Sequence, residues 1–392
     1  MRALILGTVL LAGVALLLTG CGGPTAEAHY KSGVQLQDQG LREQAIKEYD
    51  EAIRLDSRLA DAYLRRGEMY SQLGRYQQAL QDYHQAIGLG SKSATIYNRQ
   101  GIAYLNQGQD MKAMEAFNEA ALLDPQLADA YYNRGLAHYN MAMPPQEKAE
   151  EAIKELDQAI RLDPNRAEAY LLRADANIHL GQWQKVVDDM DQAIRLNPGV
   201  GEDYVTRGEA YLNLGKHQEA VADLGEATRL NPQAIYAYVL RSVAYRRLGD
   251  HEKAMADANQ AWRISYQFWR VYQQRGTVLE NVGRLEEAVA EYDQAIQLKP
   301  TSAVLFAYAY ISRGDLYRRL GQADKAIEDL EEALKLNPEA GETYASRALA
   351  YTLLGKEAEA QQDIARAVEL GVKEYPGLFD FTVLKKDFET LQ

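Results

Sequence analysis

The sequence predicts an all-α chain built from about ten copies of one helix–turn–helix unit, and three recurrences predict it. Ten alanines, Ala52, Ala86, Ala120, Ala159, Ala193, Ala227, Ala261, Ala295, Ala333 and Ala367, return at steps of 34 residues, interrupted by one step of 39 and one of 38. A fixed period of this length means one supersecondary unit stacked on copies of itself, each covering its neighbour's apolar face. A small residue travels with the alanine, at Gly33, Gly67, Gly101, Gly135, Ala174, Gly208, Ser242, Gly276, Gly314 and Ala348. Seven residues after that position a second glycine, from Gly40 and Gly74 to Gly321 and Gly355, occurs in nine of the ten copies.

Ahead of the repeats lies a separate object. Arg2 supplies a positive start, and residues 3–18 form an apolar stretch of sixteen. That is short of the ~20 residues a membrane-spanning helix needs, and it suits a signal-peptide core. The stretch ends in Leu18-Thr19-Gly20-Cys21, which resembles a bacterial lipobox, and Cys21 is the only cysteine of the chain. The resemblance implies that residues 1–20 are a lipoprotein signal peptide and that Cys21 carries the lipid. Residues 21–25 are then the lipidated cysteine and a short tether, Gly22 to Thr25, that reaches ~14 Å at most. Gly22 rather than an aspartate follows the cysteine. In enterobacteria-like sorting this implies the outer membrane, facing the periplasm, in place of retention at the inner membrane. The other reading of the segment is an ordinary signal peptide or an uncleaved anchor with an incidental cysteine.

Within the repeats each recurring residue has a mechanical reason. Helices approach closely only where side chains are small, so the Gly or Ala of the first helix is expected to face an Ala of the second. An aromatic four places before the small residue, as at Tyr63, Tyr97, Tyr131, Tyr310 and Tyr344, fills the space beside the crossing. The second glycine supplies the turn. Pro125, Pro164, Pro198, Pro232, Pro300 and Pro338 stand five residues after a marker alanine, where proline closes the second helix. On these residues the chain resembles the tetratricopeptide repeat (TPR) family over residues 26–371. That resemblance implies a right-handed superhelical solenoid of about ten units whose inner groove binds other proteins.

One departure from the family pattern is consistent. The family has Leu before the small residue, whereas Arg66, Arg134, Arg173, Arg207, Arg241, Arg275, Arg313 and Arg347 stand there. Three residues past the small residue of the second helix come carboxylates, among them Asp82, Glu155, Asp189, Asp223, Asp257, Glu291, Asp329 and Asp363. The third repeat has Gln100 and Ala116 in these places and lacks both charges together. A ladder of partly buried Arg–carboxylate pairs joining the two helices of each repeat is expected. The alternative is a charged recognition stripe.

Two insertions break the period. Five extra residues enter around Met141-Ala142-Met143-Pro144-Pro145, where the prolines should open the second helix and leave an exposed loop. Four enter near Ala303-Val304-Leu305-Phe306, about one helical turn, so that first helix should start a turn early. Tolerated length variation is one reading of both. A partner contact or homodimer seam at Leu305 and Phe306 is the other. Residues 372–392, with Tyr375, Phe379, Phe381 and Phe388, read as a capping helix over the last apolar face.

In the family the groove is lined by fixed places of each first helix. Those places here are acidic through the sixth repeat, including Asp61, Glu68, Asp175 and Glu209, with Tyr132 among them. From the seventh to the ninth repeat Arg246, Arg247, Arg270, Arg318 and Arg319 outnumber Glu280 and Asp315. An extended partner segment of matching charge is one reading, and an inert solvated face is the other. The Lys/Asn clamp of chaperone-binding family members has no counterpart at these places.

With 43 basic and 56 acidic residues the net charge is −13, and loss of Arg2 with the leader makes it one unit more negative. That balance argues against nucleic acid as a partner. The six histidines are scattered without metal spacing, so neither a metal nor a cofactor is expected. Repeats occupy nearly the whole chain and no catalytic signature is visible. The expectation is therefore a non-catalytic, lipid-anchored scaffold or adaptor binding other envelope proteins. An assembly factor for pili, secretins or polysaccharide export is the alternative, and an envelope enzyme or ligand receptor a third.

Overall fold

The computed structural model describes residues 24–141, 145–299 and 303–372, and among them every regular element is an α-helix. The chain divides into two compact units, one ending at Pro164 and one beginning at Asn165. The first unit opens with α1 (Ala26–Asp38), α2 (Arg42–Leu55), α3 (Ala60–Gln72) and α4 (Tyr76–Gly88). It continues with α5 (Ala94–Leu105), α6 (Asp110–Leu123), α7 (Ala128–Asn140) and α8 (Pro145–Leu162). The second unit holds α9 (Ala167–His179), α10 (Trp183–Leu196), α11 (Gly201–Asn213), α12 (His217–Leu230), α13 (Ile235–Arg247) and α14 (His251–Ile264). Then come α15 (Trp269–Asn281), α16 (Leu285–Gln297), α17 (Ala303–Arg319), α18 (Ala323–Leu336), α19 (Gly341–Leu353) and α20 (Glu357–Glu369). Within each unit every odd helix packs on the even helix after it, and that even helix packs on the next odd one. Odd helices also touch one another, as α3 with α5 and α13 with α15 do, so they form one layer and the even helices another.

The turn inside each pair explains its glycine. Gly40 has φ +76°, and the other turn glycines share this left-handed conformation. There the Leu41 N–H donates to the Leu36 carbonyl and the Gly40 N–H to Gln37, both at 2.9 Å. These are the two bonds of a Schellman turn, whose left-handed residue is most often glycine. The prolines lie just beyond the even helices, Pro125 after α6 and Pro338 after α18.

All ten marker alanines are buried. The small residue of the odd helix, expected to face an alanine, instead faces a large side chain of the even helix. A Cβ on Gly33 would lie 2.5 Å from the Tyr49 ring, one on Gly101 2.4 Å from Phe117, and one on Gly208 2.8 Å from Leu224. The alanine contributes backbone to the crossing, the Ala326 carbonyl oxygen lying 3.2 Å from the Cβ position of Gly314. Sizes trade at one contact: glycine faces the rings of Tyr49 and Phe117, whereas at the register of the larger Ser242 the facing residue is Ala258; Ala174 and Ala348 keep a large neighbour, Met190 and Ile364. Close packing demands this exchange of volume. Burying Phe117 or Leu224 in such a place contributes about 1.5–3 kcal/mol.

The Arg–carboxylate ladder forms at every expected rung. Arg66 pairs with Asp82, Arg134 with Glu155, Arg173 with Asp189, and Arg207 with Asp223. Arg241 pairs with Asp257, Arg275 with Glu291, Arg313 with Asp329, and Arg347 with Asp363. Arg66 is bidentate, its Nε and Nη2 donating to Asp82 at 2.8 and 2.7 Å. The guanidinium also reaches back to the preceding repeat, Arg66 to Asp50 at 2.6 Å, Arg207 to Asp191 at 2.6 Å and Arg313 to Asp293 at 2.5 Å. These three rungs therefore join two repeats as well as two helices. Tyrosine rings flank it, Tyr63 and Tyr70 at 5.5 and 5.9 Å from the Arg66 guanidinium carbon. The hydrogen bond to Asp223 holds Arg207 above the ordinary guanidinium range, with burial opposing it. In the first repeat, which lacks the arginine, His29 Nδ1 meets Glu48 at 2.8 Å.

Both insertions lengthen helices. α8 opens at Pro145 and has 18 residues against 14 in α10. α17 has 17 residues against 13 in α19, one turn more. The expected methionine loop lies at residues 142–144, outside the described residues. So do the signal peptide, Cys21 and the capping segment from residue 373 onward. Thr25, the last residue of the expected tether, caps α1, its hydroxyl accepting from the Ala28 N–H at 3.2 Å. Val372, at the start of the expected cap, packs against the buried cluster of Ala345, Ala348, Leu349 and Ala367.

Candidate protein-binding faces

The odd-helix layer carries the residues expected to line a groove, and most of their charges already have partners. In the first unit Glu68 is 4 % exposed and lies between Arg65 at 3.3 Å and Arg99 at 3.2 Å. Beside it Asn133 donates to Asn98 at 3.0 Å, both buried. Asp61, near the start of α3, is exposed, and Tyr132 on α7 is half-buried. Glu68 is thus committed to holding α3 against α5, while Asp61 faces solvent.

In the second unit three of the five expected arginines are engaged. Arg270 donates to the Tyr236 hydroxyl at 3.2 Å, and that hydroxyl donates to Glu209 at 3.5 Å. Arg319 meets Glu280 at 2.6 Å, and Arg318 meets Asp315 at 3.6 Å. The Ser346 hydroxyl donates to Asp315 as well. Arg246 and Arg247 stand apart from this pairing. The Arg246 Nε is buried without a hydrogen-bond partner among the described residues, and Arg247 is exposed. Burial and the neighbouring Arg247 lower the Arg246 guanidinium. The excess of arginines over carboxylates read from the sequence is thereby reduced to one doublet at the end of α13.

Asp175 on α9 is exposed, whereas two half-buried carboxylates of this layer are raised by burial, Glu280 with Arg319 opposing and Glu209 with Arg270 opposing. A carboxyl raised in the folded state stabilises the fold below its unfolded pKa, and that contribution is lost as pH rises through the folded value. Glu209→Gln is therefore expected to raise the melting temperature by about 1–2 °C at pH 7 and to leave it unchanged at pH 4. Thermal melts at the two pH values check this.

A cavity of about 440 Å³ in the same layer is lined by Glu280, Tyr308, Ile311, Ser312, Asp315 and Thr343. Thr343 Oγ1 is buried there without a partner among the described residues. Tyr308 is 50 % exposed, and Phe306 stacks on Tyr310 with centroids 5.1 Å apart. Tyr236, Arg65 and Arg99 were missed from sequence. Tyr236 occupies the second place of α13, a groove place, so that signal was present. Arg65 and Arg99 sit one place off the expected lining and carried none. Among the described residues no cluster of His, Cys, Asp or Glu could hold a metal ion, and no helix is long and apolar enough to cross a membrane.

Family models described as tetratricopeptide repeats match residues 35–74, 60–91, 101–141, 146–181, 205–268, 270–302 and 307–339. No curated protein matches the chain. Among solved structures, the C-terminal part of a TPR repeat-containing protein from Cytophaga hutchinsonii is 16 % identical with a TM-score of 0.54, covering 62 % of this chain and 98 % of its own. Yeast Tom70 is 16 % identical with a TM-score of 0.46, covering 93 % and 96 %. MamA protein is 24 % identical with a TM-score of 0.41, covering 44 % and 92 %.

Proposed function

Because this chain belongs to the tetratricopeptide repeat family, we propose that it is a non-catalytic scaffold that binds segments of other proteins along its odd-helix layer. The observation that carries this reading is the family match repeated along about two thirds of the chain. Arg246 and Arg247 supply positive charge in that layer without an ion pair among the described residues, Glu280 acting on Arg246 only from a distance, so the partner segment is acidic where it meets α13. The Leu18-Thr19-Gly20-Cys21 sequence supports lipidation at Cys21 and a place in the bacterial envelope, on the periplasmic side of the outer membrane. Acyl chains contribute about 0.8 kcal/mol per buried methylene, so two or more give stable anchoring.

Crosslinking and pull-down from native membranes test both parts. Cys21→Ser is expected to move the protein from the membrane fraction to the soluble periplasmic fraction. Continued tight membrane retention would refute the anchor. Reversal of charge at Arg246 and Arg247 is expected to lose the recovered partner, and unchanged recovery would remove the odd-helix layer as the binding face.

A further inference from the structure

At the third repeat the ladder keeps its register but has lost its ions. Gln100 stands where Arg66 and Arg313 stand, Ala116 replaces Asp82 and Asp329, and His84 replaces Asp50 and Asp293. The flanking tyrosines remain, Tyr97 in the place of Tyr63 and Tyr104 in the place of Tyr70. Together these residues line an open cleft of about 650 Å³ with Glu115 and Glu119 at its rim. The tenth repeat has a hollow at the same register with Arg347 and Asp363 in it, and that hollow measures about 460 Å³. Gln100 is 7 % exposed, and its side-chain amide lines the cleft with no hydrogen-bond partner among the described residues.

The remaining cation of the cleft does not fill it. Lys112 Nζ lies 5.6 Å from the Tyr104 ring centroid. At the same register Lys253 and Lys325 lie 5.4 and 5.2 Å from Tyr245 and Tyr317, in repeats whose socket also holds Arg241 or Arg313. A guanidinium and this lysine are therefore compatible. On α6, Met111 is 70 % and Leu122 74 % exposed. They fall on the helix face of Glu115 and Glu119, at spacings of one to three turns.

We propose that the third repeat is an acceptor for an arginine side chain of a partner protein. The guanidinium enters between Tyr97 and Tyr104, meets the Gln100 amide oxygen, and is balanced by Glu115 and Glu119. Apolar residues either side of that arginine cover Met111 and Leu122. The chain itself supplies the precedent, since its own arginines occupy this tyrosine-flanked register in other repeats. The site lies between α4, α5 and α6, uses neither Arg246 nor Arg247, and does not depend on the odd-helix reading.

The test titrates the full chain, carrying ¹³C-methyl methionine, with the peptide acetyl-Ala-Leu-Arg-Leu-Ala-amide. Saturable shifts of the Met111 and Met114 methyls are expected, with binding about tenfold weaker when citrulline replaces the arginine. Gln100→Arg with Ala116→Asp fills the cleft from within and should abolish binding. Glu115→Gln with Glu119→Gln, both exposed and without bearing on the fold, should weaken it about fivefold. Equal affinity for the citrulline peptide, unchanged binding by the Glu115/Glu119 variant or by the filled variant, or absence of saturable shifts would overturn the site. Free arginine binding as tightly as the peptide would overturn its assignment to a protein partner.

Discussion

Arg313→Met is expected to destabilise the repeats around it by about 3–5 kcal/mol, the cost of leaving a buried charge without its partner. The substitution keeps most of the apolar stem but removes both hydrogen bonds to Asp329, which is buried, and the bond to Asp293 in the preceding repeat. Because the rung spans two repeats, hydrogen exchange should accelerate in α15 and α16 as well as in α17 and α18. Arg313→Met combined with Asp329→Leu should recover most of the loss, since an apolar pair in such a place is about as stable as the ion pair. A repeat array need not unfold in one step. Residue-resolved exchange is therefore the deciding measurement, and protection lost only in α17 and α18 would show that the rung acts within one repeat.

Gly101→Val is expected to cost about 3 kcal/mol, the upper end for overpacking a core. Its Cβ would already stand 2.4 Å from the Phe117 ring, and the two methyl groups deepen the clash. Better helix propensity returns less than about 1 kcal/mol. The pairing of Ser242 with Ala258 gives the compensating change: Gly101→Ser with Phe117→Ala should cost less than the sum of its single substitutions by at least about 1 kcal/mol. Hydrogen-exchange free energies of α5 and α6 in the four proteins measure that coupling, and strict additivity would mean that the two positions do not share one packing volume.

The helices, their turns and the ladder were legible in the sequence because each depends on one residue repeated at one place. Arg66 and Asp82 recur as Arg207 and Asp223, so two columns of the repeat reveal a contact without any structure. Two things were hidden for the same reason. The second partner varies among the five arginines that show one, as Asp50, Asn118, Asp191, Thr228 and Asp293, and a varying column gives no signal. Pairing in the odd-helix layer was hidden too, because Glu68 is held by Arg99 from the next repeat and Glu209 is linked to Arg270 through Tyr236 from another. Counting charges along a helix face overstates what that face offers a partner when the counter-ions come from elsewhere in the array. The small-to-large contact was misread for a different cause. The alanine is the more regular residue, but the facing Tyr, Phe, Leu, Met, Ala or Ile is the one whose volume matches the odd helix.

The missing rung of the third repeat also has a mechanical meaning. At several joints a charged clasp fastens an odd helix to the even helix of the repeat before it, as Arg66 does to α2 through Asp50. Between α4 and α5 that clasp is absent, and what remains is the packing of Ile96, Ala86 and Tyr83 with one hydrogen bond between the Tyr104 hydroxyl and His84 Nε2 at 3.1 Å. Under tension along the chain, the first unit would begin to part at this joint, sparing the clasped pairs on either side as intact blocks. An arginine delivered by another protein would then act as a splint at the point of lowest tensile strength.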